Sequence, residues 1–259
     1  MSIVNAAEVN ADDIVLEIGP GHGALTERLM FFAGKVIAIE KDDELYEELK
    51  KKYEKEINAG KLDLIHGDAL EFNPELLRFY ADFSYKLVAN IPYNITGAIF
   101  KKFLSASYQP ELMVLLVQRE VAKRIVASDD KESILSISIK VYGKPRYVEM
   151  VKAGSFVPRP KVDSAIIAIE NISKEFFENM ARNNNLGVQL LSVEKIEREF
   201  FEMVRAGFSA KRKKLSSNLS NIFDKEKVIE VFEKLGLDEN TRAEDVNIDV
   251  WQKLALLLL

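Results

Sequence analysis

The chain has 259 residues, of which 47% are hydrophobic and 30% charged, so it can form a packed core and is not a disordered protein. It contains no cysteine, which excludes disulfides, thiolate metal sites and a cysteine nucleophile, and its two histidines are too few for a histidine metal cluster. The apolar run at residues 254–259, which no other run exceeds in length, is far too short to span a bilayer, and we find no signal peptide. We therefore expect a cytoplasmic enzyme without a metal site or a membrane partner, built from one large or two modest domains.

Charge is distributed unevenly along the chain. The net charge of −5 argues against a nucleic-acid partner, but the position of the charges matters more than their sum. Residues 42–56 carry seven acids and four lysines, whereas residues 140–161 carry six bases and one acid. Residues 203–223 carry five bases and no acid. We therefore expect a polarised molecule whose basic surface comes from the second half of the chain.

Short apolar runs alternate with amphipathic segments over the first two-thirds of the chain. Buried strands are predicted at residues 14–18, 35–39, 62–66, 85–89 and 112–117. Helices are predicted at residues 24–32, 42–53, 74–80 and 118–127. This alternation predicts an α/β fold with a parallel sheet covered by helices.

The second half of the chain changes character. In residues 133–141 apolar and polar side chains alternate, which favours a strand, although Ile134 breaks the alternation and a helix is the alternative. Two late strands are predicted at residues 147–151 and 165–169, and helices follow at residues 193–204, 225–235 and 250–258. We place a domain boundary near residues 171–176, which gives domains of residues 1–172 and 173–259.

A glycine-rich loop, Glu-Ile-Gly-Pro-Gly-His-Gly-Ala at residues 17–24, follows the first predicted strand. Gly19 and Gly21 permit a tight turn and the close approach of a ligand to the backbone. The string also fits the dinucleotide-binding pattern G-x-G-x-x-A, so a nicotinamide- or flavin-dependent enzyme is an alternative. A second alternative for this loop is a purely structural turn between strand and helix. His22 lies in this loop, and we expect no chemical role for it or for His66.

Polar residues also end the next strands. Glu40 ends the second strand and stands where an acid accepts hydrogen bonds from ribose hydroxyls, which both adenine dinucleotides and S-adenosylmethionine carry. Gly67, Asp68 and Ala69 follow the third strand, and a carboxylate there can accept a hydrogen bond from an adenine amino group. Because ligands bind at the carboxyl ends of strands in an open α/β sheet, these residues predict one ligand site along the sheet edge.

The segment Asn90-Ile91-Pro92-Tyr93 follows the fourth predicted strand. The side-chain oxygen of Asn90 and a backbone carbonyl can accept hydrogen bonds from the amino group of a flat base. Pro92 fixes the backbone that carries this carbonyl, and the Tyr93 ring can stack on the base. Such acceptors localise the lone pair of the amino nitrogen, so the segment favours methyl transfer to a nucleobase amine, whereas hydride transfer needs no such clamp. A strand-end turn with a proline is the structural alternative.

With these residues in place, the chain resembles class I S-adenosylmethionine-dependent methyltransferases that act on adenine N6. The resemblance begins at residues 17–26, Glu40, Asp68 and residues 90–96. Four later motifs narrow the resemblance to the small-subunit ribosomal RNA adenine N6-dimethyltransferases. They are Gln-Arg-Glu-Val-Ala at 118–122, Phe-Val-Pro-Arg-Pro-Lys-Val-Asp-Ser-Ala at 156–165, Phe-Ser-Ala-Lys-Arg-Lys-Lys-Leu at 208–215 and Arg-Ala-Glu-Asp at 242–245. The large-subunit rRNA methyltransferases of antibiotic resistance share Asn-Ile-Pro-Tyr. The motifs at residues 156–165 and 242–245, however, favour the small-subunit group.

The resemblance implies a Rossmann-like methyltransferase sheet with a small all-helical C-terminal domain that binds rRNA. It implies S-adenosyl-L-methionine as the donor, with Gly19 and Gly21 at its methionine end. Glu40 would bind its ribose and Asp68 its adenine. The full implied donor-binding set is Glu17, Gly19, Gly21, Glu40, Lys41, Asp68, Ala69 and Asn90.

The implied catalytic set is Asn90, Ile91, Pro92, Tyr93 and Phe156. Asn90 and the Ile91 carbonyl would hold the target amine. Tyr93 and Phe156 would stack on an adenine extruded from structured RNA, although Phe156 has an alternative role as a core aromatic in a proline-rich loop. Family members dimethylate two adjacent adenosines near the 3′ end of the small-subunit rRNA and take part in ribosome biogenesis.

The resemblance also implies that a basic segment contacts rRNA phosphates, with a solvated helix face as the alternative. Its bases are Arg205, Lys211, Arg212, Lys213 and Lys214. Family members begin with a Gly-Gln-Asn/His-Phe-Leu segment that folds over the donor, and residues 2–13 do not match it, so we expect this flap to be missing. We expect a monomer that methylates the small ribosomal subunit. The alternatives are a large-subunit rRNA methyltransferase and an RNA-binding assembly factor that does not methylate.

Overall fold

The computed structural model describes residues 2–79, 84–156, 159–183 and 192–259. Their contacts divide the chain into two compact units. The first unit comprises Met1–Lys123 and Gly143–Ile172, and the second comprises Arg124–Tyr142 and Ser173–Leu259. Tyr80, the last residue of a predicted helix, and Val157 and Pro158, which belong to the proline-rich motif, lie outside the described residues.

A seven-stranded sheet organises the first unit, with the strand order β3-β2-β1-β4-β5-β7-β6. Its strands are β1 (Ile14–Ile18), β2 (Lys35–Glu40), β3 (Leu62–His66), β4 (Lys86–Asn90), β5 (Leu112–Gln118), β6 (Lys144–Val151) and β7 (Ser164–Glu170). Strands β1 to β5 are parallel, whereas β7 runs antiparallel to both β5 and β6. The predicted α/β fold of the Rossmann-like type is confirmed, and the five parallel strands place their carboxyl ends on one edge.

The strands form because they are apolar enough to be buried on both faces, as parallel sheets require. Leu16, Ile37, Leu87 and Leu115 lie in four neighbouring strands, and each is fully buried. Helices of this part of the chain are α1 (Ser2–Ala6), α2 (Ala24–Phe32), α3 (Asp43–Lys52), α4 (Glu54–Asn58), α5 (Thr96–Leu104) and α6 (Arg119–Val126). The sequence patterns predicted neither α1 nor α5.

The strand favoured for residues 133–141 is wrong, because this segment forms helix α7 (Ile134–Lys140), which was the alternative. The side chain of Ser133 accepts a hydrogen bond from the Ser136 backbone at 3.1 Å, and the Ser136 hydroxyl accepts one from the Ser133 backbone at 2.7 Å. This reciprocal cap satisfies two amide groups that a helix start otherwise leaves without partners. Ile137 and Ile139 are buried while Ile134 is exposed, which explains why Ile134 broke the apparent alternation.

The rest of the second unit is helical, as predicted for the C-terminal domain. Its helices are α8 (Glu175–Asn183), α9 (Val193–Gly207), α10 (Leu215–Leu219), α11 (Lys225–Leu235) and α12 (Ile248–Leu258). Phe177, Phe200 and Trp251 are fully buried within this unit. Residues 124–142 belong to this unit by their contacts, whereas the division made from sequence counted them with the first domain. In the described ranges no helix is long and apolar enough to cross a membrane.

Candidate functional site

The glycine loop after β1 is held in place by helix α3 and the residue that follows it. Gly23 adopts a left-handed backbone with φ +81°, and a Cβ atom there would lie 2.6 Å from the Tyr53 hydroxyl oxygen. That hydroxyl donates a hydrogen bond to the Gly23 carbonyl at 2.8 Å, and Lys52 Nζ donates one to the His22 carbonyl at 2.9 Å. Only glycine fits this position. The two hydrogen bonds hold the loop in its shape. Sequence reasoning missed Lys52 and Tyr53.

Glu40 fixes the loop from the end of the neighbouring strand. Glu40 as a whole is buried, with 6% of its surface exposed. Oε2 accepts a hydrogen bond from the Gly21 amide at 3.1 Å, and Oε1 accepts from the amides of Lys41 at 2.8 Å and Asp42 at 2.9 Å. These bonds hold the carboxylate in one orientation at the sheet edge. A Cβ atom on Gly21 would meet no atom within 4 Å, so the backbone beside Glu40 is open to a ligand.

Glu17 lies on β1 beneath the same loop and is only 1% exposed. Neither carboxyl oxygen of Glu17 has a hydrogen-bond partner among the described residues, and the same holds for the buried hydroxyl of Thr26. Burial raises the pKa of Glu17 to about 8; the nearby Thr26 hydroxyl opposes this rise, and the negative charge of Glu40 adds to it. Glu17 is therefore largely protonated at neutral pH in the protein as described.

Asp68 and Lys41 form an ion pair at the ends of β3 and β2. Lys41 Nζ donates to Asp68 Oδ2 at 2.8 Å, and the Leu70 amide donates to Asp68 Oδ1 at 2.8 Å. The bond from Lys41 lowers the pKa of Asp68, so this carboxylate stays ionised and can accept further hydrogen bonds. Ala69 is buried beside it at 6% exposure. The sequence placed both Lys41 and Asp68 at the site but did not predict that they pair.

The Asn90–Tyr93 segment meets the glycine loop. Asn90 is the last residue of β4, which pairs with β1, and it is exposed, whereas Ile91 is buried at 2% exposure. Pro92 is exposed, and its Cδ atom lies 4.0 Å from the position that a Cβ atom would take on Gly19. This is ordinary van der Waals distance. The structure therefore brings together the loop predicted for the donor and the segment predicted for the target.

The two aromatic residues of the predicted target site are anchored differently. The Tyr93 hydroxyl lies 2.7 Å from the Ser164 hydroxyl, and Ser164 is fully buried at the start of β7. The half-buried Phe156 packs against the hydrophobic core of the first unit, as its alternative role as a core aromatic predicts. Its amide donates to the Ala153 carbonyl at 3.4 Å. Sequence reasoning did not identify Ser164 as a partner of Tyr93.

The two histidines lie at the margin of this edge. His22 Nδ1 is 3.1 Å from a Glu48 oxygen, and its side chain is 76% exposed. His66 Nε2 is 2.9 Å from Asp43 Oδ1, and its ring stacks on Tyr46 with a centroid distance of 4.5 Å. Across the described ranges, no group of three or more histidine and acidic side chains could hold a metal ion.

The predicted RNA-binding bases lie in the second unit, at the end of α9 and in the turn before α10. Arg205, Lys211, Arg212, Lys213 and Lys214 are all exposed. Buried Asn218 holds this turn, because its Nδ2 donates to the carbonyls of Gly207 at 2.6 Å and Ala210 at 3.2 Å. Lys214 lies 3.6 Å from an exposed oxygen of Glu239. Within the described part of the chain, the other four bases form no ion pair, so their charge is available to an external anion.

The edge of the sheet in the first unit thus has two chemically different halves. Acidic side chains at the ends of β1, β2 and β3 suit hydroxyl and amino groups of one ligand. The uncharged amide of Asn90 and the Tyr93 ring, at the end of β4, suit the amino group and the face of a flat base. Pro92 of the second half lies close to Gly19 of the first, 4.0 Å from the position that a Cβ atom would take there. Such an arrangement can hold two ligands with their reactive atoms close together.

Comparison with known proteins agrees with this arrangement. The pattern of the family described as "Ribosomal RNA adenine dimethylase" matches residues 1–258. A relative from Dehalococcoides mccartyi, "Ribosomal RNA small subunit methyltransferase A", is 40% identical over 256 residues, which cover 98% of this chain and 81% of the relative. A relative of the same name from a Nostoc species is 35% identical over 99% of this chain and 92% of its own length.

Two solved structures have the same fold and cover nearly the whole chain. A dimethyladenosine transferase from Plasmodium falciparum has a TM-score of 0.77 and 28% identity, with 98% of this chain and 92% of that chain covered. The 23S rRNA methyltransferase ErmE has a TM-score of 0.72 and 25% identity, with 99% and 95% covered. The family match spans nearly the whole sequence, and relatives at 35–40% identity are named as ribosomal RNA methyltransferases. The chain therefore belongs to the ribosomal RNA adenine dimethylase family.

Proposed function

We propose that this enzyme uses S-adenosyl-L-methionine to dimethylate N6 of two adjacent adenosines near the 3′ end of small-subunit rRNA. The observation that carries the proposal is the proximity of the glycine loop and the Asn90–Tyr93 segment, since a Cβ atom added to Gly19 would lie 4.0 Å from Pro92 Cδ. Methyl transfer requires a donor and an amine in direct apposition, and this proximity sets two suitable half-sites side by side.

The residues at the donor half fit S-adenosyl-L-methionine. Glu40 presents an oriented carboxylate to ribose hydroxyls, and the ionised Asp68 can accept from an adenine amino group. A Cβ atom on Gly21 or Gly67 would meet nothing within 4 Å, so a ligand can approach the backbone there. Gly19 would line the methionine end. When bound, the donor supplies a methyl group on a positively charged sulfur, which is electrophilic enough to react with a weak nucleophile.

The target half acts on a poor nucleophile, because the lone pair of the adenine amino nitrogen is delocalised into the ring. Asn90 Oδ1 and the Ile91 carbonyl would accept hydrogen bonds from the two N–H groups and so concentrate the lone pair on nitrogen. Pro92 fixes the backbone between the clamp and the loop, with φ −56°. Catalysis then comes from alignment and electrostatics, and no side chain has to act as a strong base.

The adenine must leave its stack in structured RNA before it can reach Asn90. Tyr93 and Phe156 would receive it between their rings, which offsets part of the cost of unstacking. Exposed Arg205, Lys211, Arg212 and Lys213 would contact phosphates and orient the RNA without reading its sequence. That the molecule is a cytoplasmic monomer of ribosome biogenesis remains a prediction.

The small subunit is the proposed substrate because relatives at 35–40% identity carry small-subunit names. The similarity to the 23S rRNA methyltransferase ErmE over 99% of this chain supports one alternative, methylation of the large subunit. The Pro-Arg-Pro-Lys-Val-Asp-Ser-Ala string and the Arg-Ala-Glu segment near the end of the chain favour the small subunit as substrate. An assembly factor without methyl transfer is a second alternative.

The experiment offers purified, unmethylated small and large subunits separately, with S-adenosylmethionine that carries a labelled methyl group. We expect label in the small subunit only, and N6,N6-dimethyladenosine as the product after nuclease digestion. Label in the large subunit would favour the first alternative. Calorimetric titration with S-adenosylmethionine tests the second alternative, an assembly factor without methyl transfer. A protein that binds RNA but shows no donor binding at millimolar concentration would be such a factor.

A further inference from the structure

We infer that Asp163 and Ser164, two consecutive residues of the proline-rich motif, are positioning residues that hold the two aromatic walls of the target site. The inference rests on the proposed stacking of the target adenine on Tyr93 and Phe156, and it assigns the polar residues of that motif a role of their own. Asp163 anchors the turn before Phe156, and Ser164 anchors Tyr93. The spacing of the two rings is therefore set from one point in the fold.

Ser164 is a rigid anchor for Tyr93. Its backbone pairs with Gln118 of β5 on one side and Val151 of β6 on the other, so it belongs to the sheet itself. It is fully buried, and its hydroxyl lies 2.7 Å from that of the half-buried Tyr93. A hydrogen bond to a group with no freedom of its own restricts the rotation of the Tyr93 ring.

Asp163 anchors the segment that carries Phe156. Its Oδ1 atom accepts a hydrogen bond from the Ala153 amide at 2.9 Å, where the short turn Ala153–Ser155 begins. The Phe156 amide closes this turn on the Ala153 carbonyl. The Asp163 carbonyl also accepts from the Arg119 amide at 3.0 Å, which fixes Asp163 to the end of β5. Side chain and backbone of one residue thus connect the Phe156 turn to the sheet.

The first test is a double-mutant cycle with Tyr93→Phe, Ser164→Ala and the combined variant, measured on unmethylated small subunits. Each single variant removes the same hydrogen bond, so each should lower kcat by about threefold to tenfold, and the double variant should be no worse than either. The dissociation constant for S-adenosylmethionine should stay unchanged, because the donor half does not involve this bond. Additive losses, or a Ser164→Ala variant with normal kcat, would overturn the inference.

The second test compares Asp163→Ala with Asp163→Asn. Asparagine keeps an acceptor oxygen for the Ala153 amide, so it should retain nearly normal kcat, whereas alanine should lower kcat by about threefold to tenfold. Equal losses in both variants would overturn the role given to Asp163. Should Ser164→Ala fail to fold, Tyr93→Phe alone tests the hydrogen bond between Tyr93 and Ser164, since this variant removes only the hydroxyl of a half-buried side chain. A wild-type protein that methylates neither subunit would instead refute the proposed function.

Discussion

Pro92 Cδ lies 4.0 Å from the point where Gly19 would carry a side chain, and Gly19 has a left-handed backbone with φ +65°. The two residues follow neighbouring strands, β1 and β4, and belong to the two halves of the proposed site. Both loops leave the sheet at the same edge. The proposed donor half and target half therefore lie next to each other.

Replacement of Gly19 by alanine should weaken the binding of S-adenosylmethionine about tenfold, because a left-handed conformation costs a residue with a Cβ atom roughly 1–2 kcal/mol. The loop relieves this strain by leaving the shape that fits the donor. Gly60→Ala is the matched control, since Gly60 also has a left-handed backbone, with φ +73°, and open space around its Cβ position. Gly60 precedes β3, whereas the proposed donor residues follow the carboxyl ends of the strands. Both variants should lose similar stability, and calorimetric titration should show weaker donor binding only for Gly19→Ala. Equal donor affinity in the two variants would contradict the placement of the donor.

Glu40→Gln should weaken donor binding about tenfold to a hundredfold, because the amide nitrogen of glutamine would face backbone amides that now donate to a carboxylate. The variant also loses the charge that favours ribose hydroxyls. Glu44→Gln, an exposed acid in the same acidic region, is the control and should bind normally. Fluorescence or calorimetric titration measures both, and a Glu40→Gln variant with unchanged affinity would remove Glu40 from the donor site.

Glu17 should make the unliganded protein less stable as the pH rises. Its pKa is raised from the ordinary value of 4.5 to about 8, so between these values the folded protein holds a proton that the unfolded chain has released. Stability from this group is greatest below about pH 4.5 and is lost as the pH rises towards 8, by on the order of 4 kcal/mol.

The neutral variant Glu17→Gln should lack this dependence. Urea unfolding at several pH values should show equal stability near pH 4.5 and a growing advantage of Glu17→Gln up to about pH 8. Parallel stability curves for the two proteins over that range would show that Glu17 is ionised in the folded state.

The basic segment of the second unit should determine the salt dependence of RNA binding. Neutralisation of Lys211, Arg212 and Lys213 with glutamine should reduce the slope of log K against log salt by about one for each lost phosphate contact. Lys50 and Lys51, exposed bases of α3, serve as a control whose neutralisation should leave the slope unchanged. Filter binding of small subunits over a range of salt concentrations gives both slopes. An unchanged slope in the triple variant would favour the alternative of a solvated surface.

The common location of the strand-end residues was predictable from the sequence, for a physical reason. The carboxyl ends of parallel strands meet at one edge, so Gly19, Glu40, Asp68 and Asn90 could be assigned to a common site from their positions alone. Strands are short and their apolar runs are distinct, which made β1 to β5 recognisable. The antiparallel direction of β6 and β7 was not predictable from the same patterns, because strand direction depends on how the connections pass over the sheet.

Two kinds of feature escaped prediction. Helix α7 was missed because Leu135, Ile137 and Ile139 alternate with polar residues as in a half-buried strand. In the structure Ile137 and Ile139 lie on different sides of a short helix that is buried on both, and the reciprocal cap of Ser133 and Ser136 begins this helix. The anchors of the site were missed because they are contacts between distant positions. Tyr53 lies 30 residues from Gly23, and Ser164 lies 71 residues from Tyr93. No local pattern encodes such pairs.

The central claim is that Asn90 holds the target amine for methyl transfer. The most direct measurement is single-turnover transfer of labelled methyl from saturating S-adenosylmethionine to unmethylated small subunits, by the wild type and by Asn90→Ala. Loss of a clamp that acts in the transition state predicts a rate at least about tenfold lower, while binding of the subunit is retained. A rate reduced less than about tenfold would contradict the account, because methyl transfer would then proceed without the clamp.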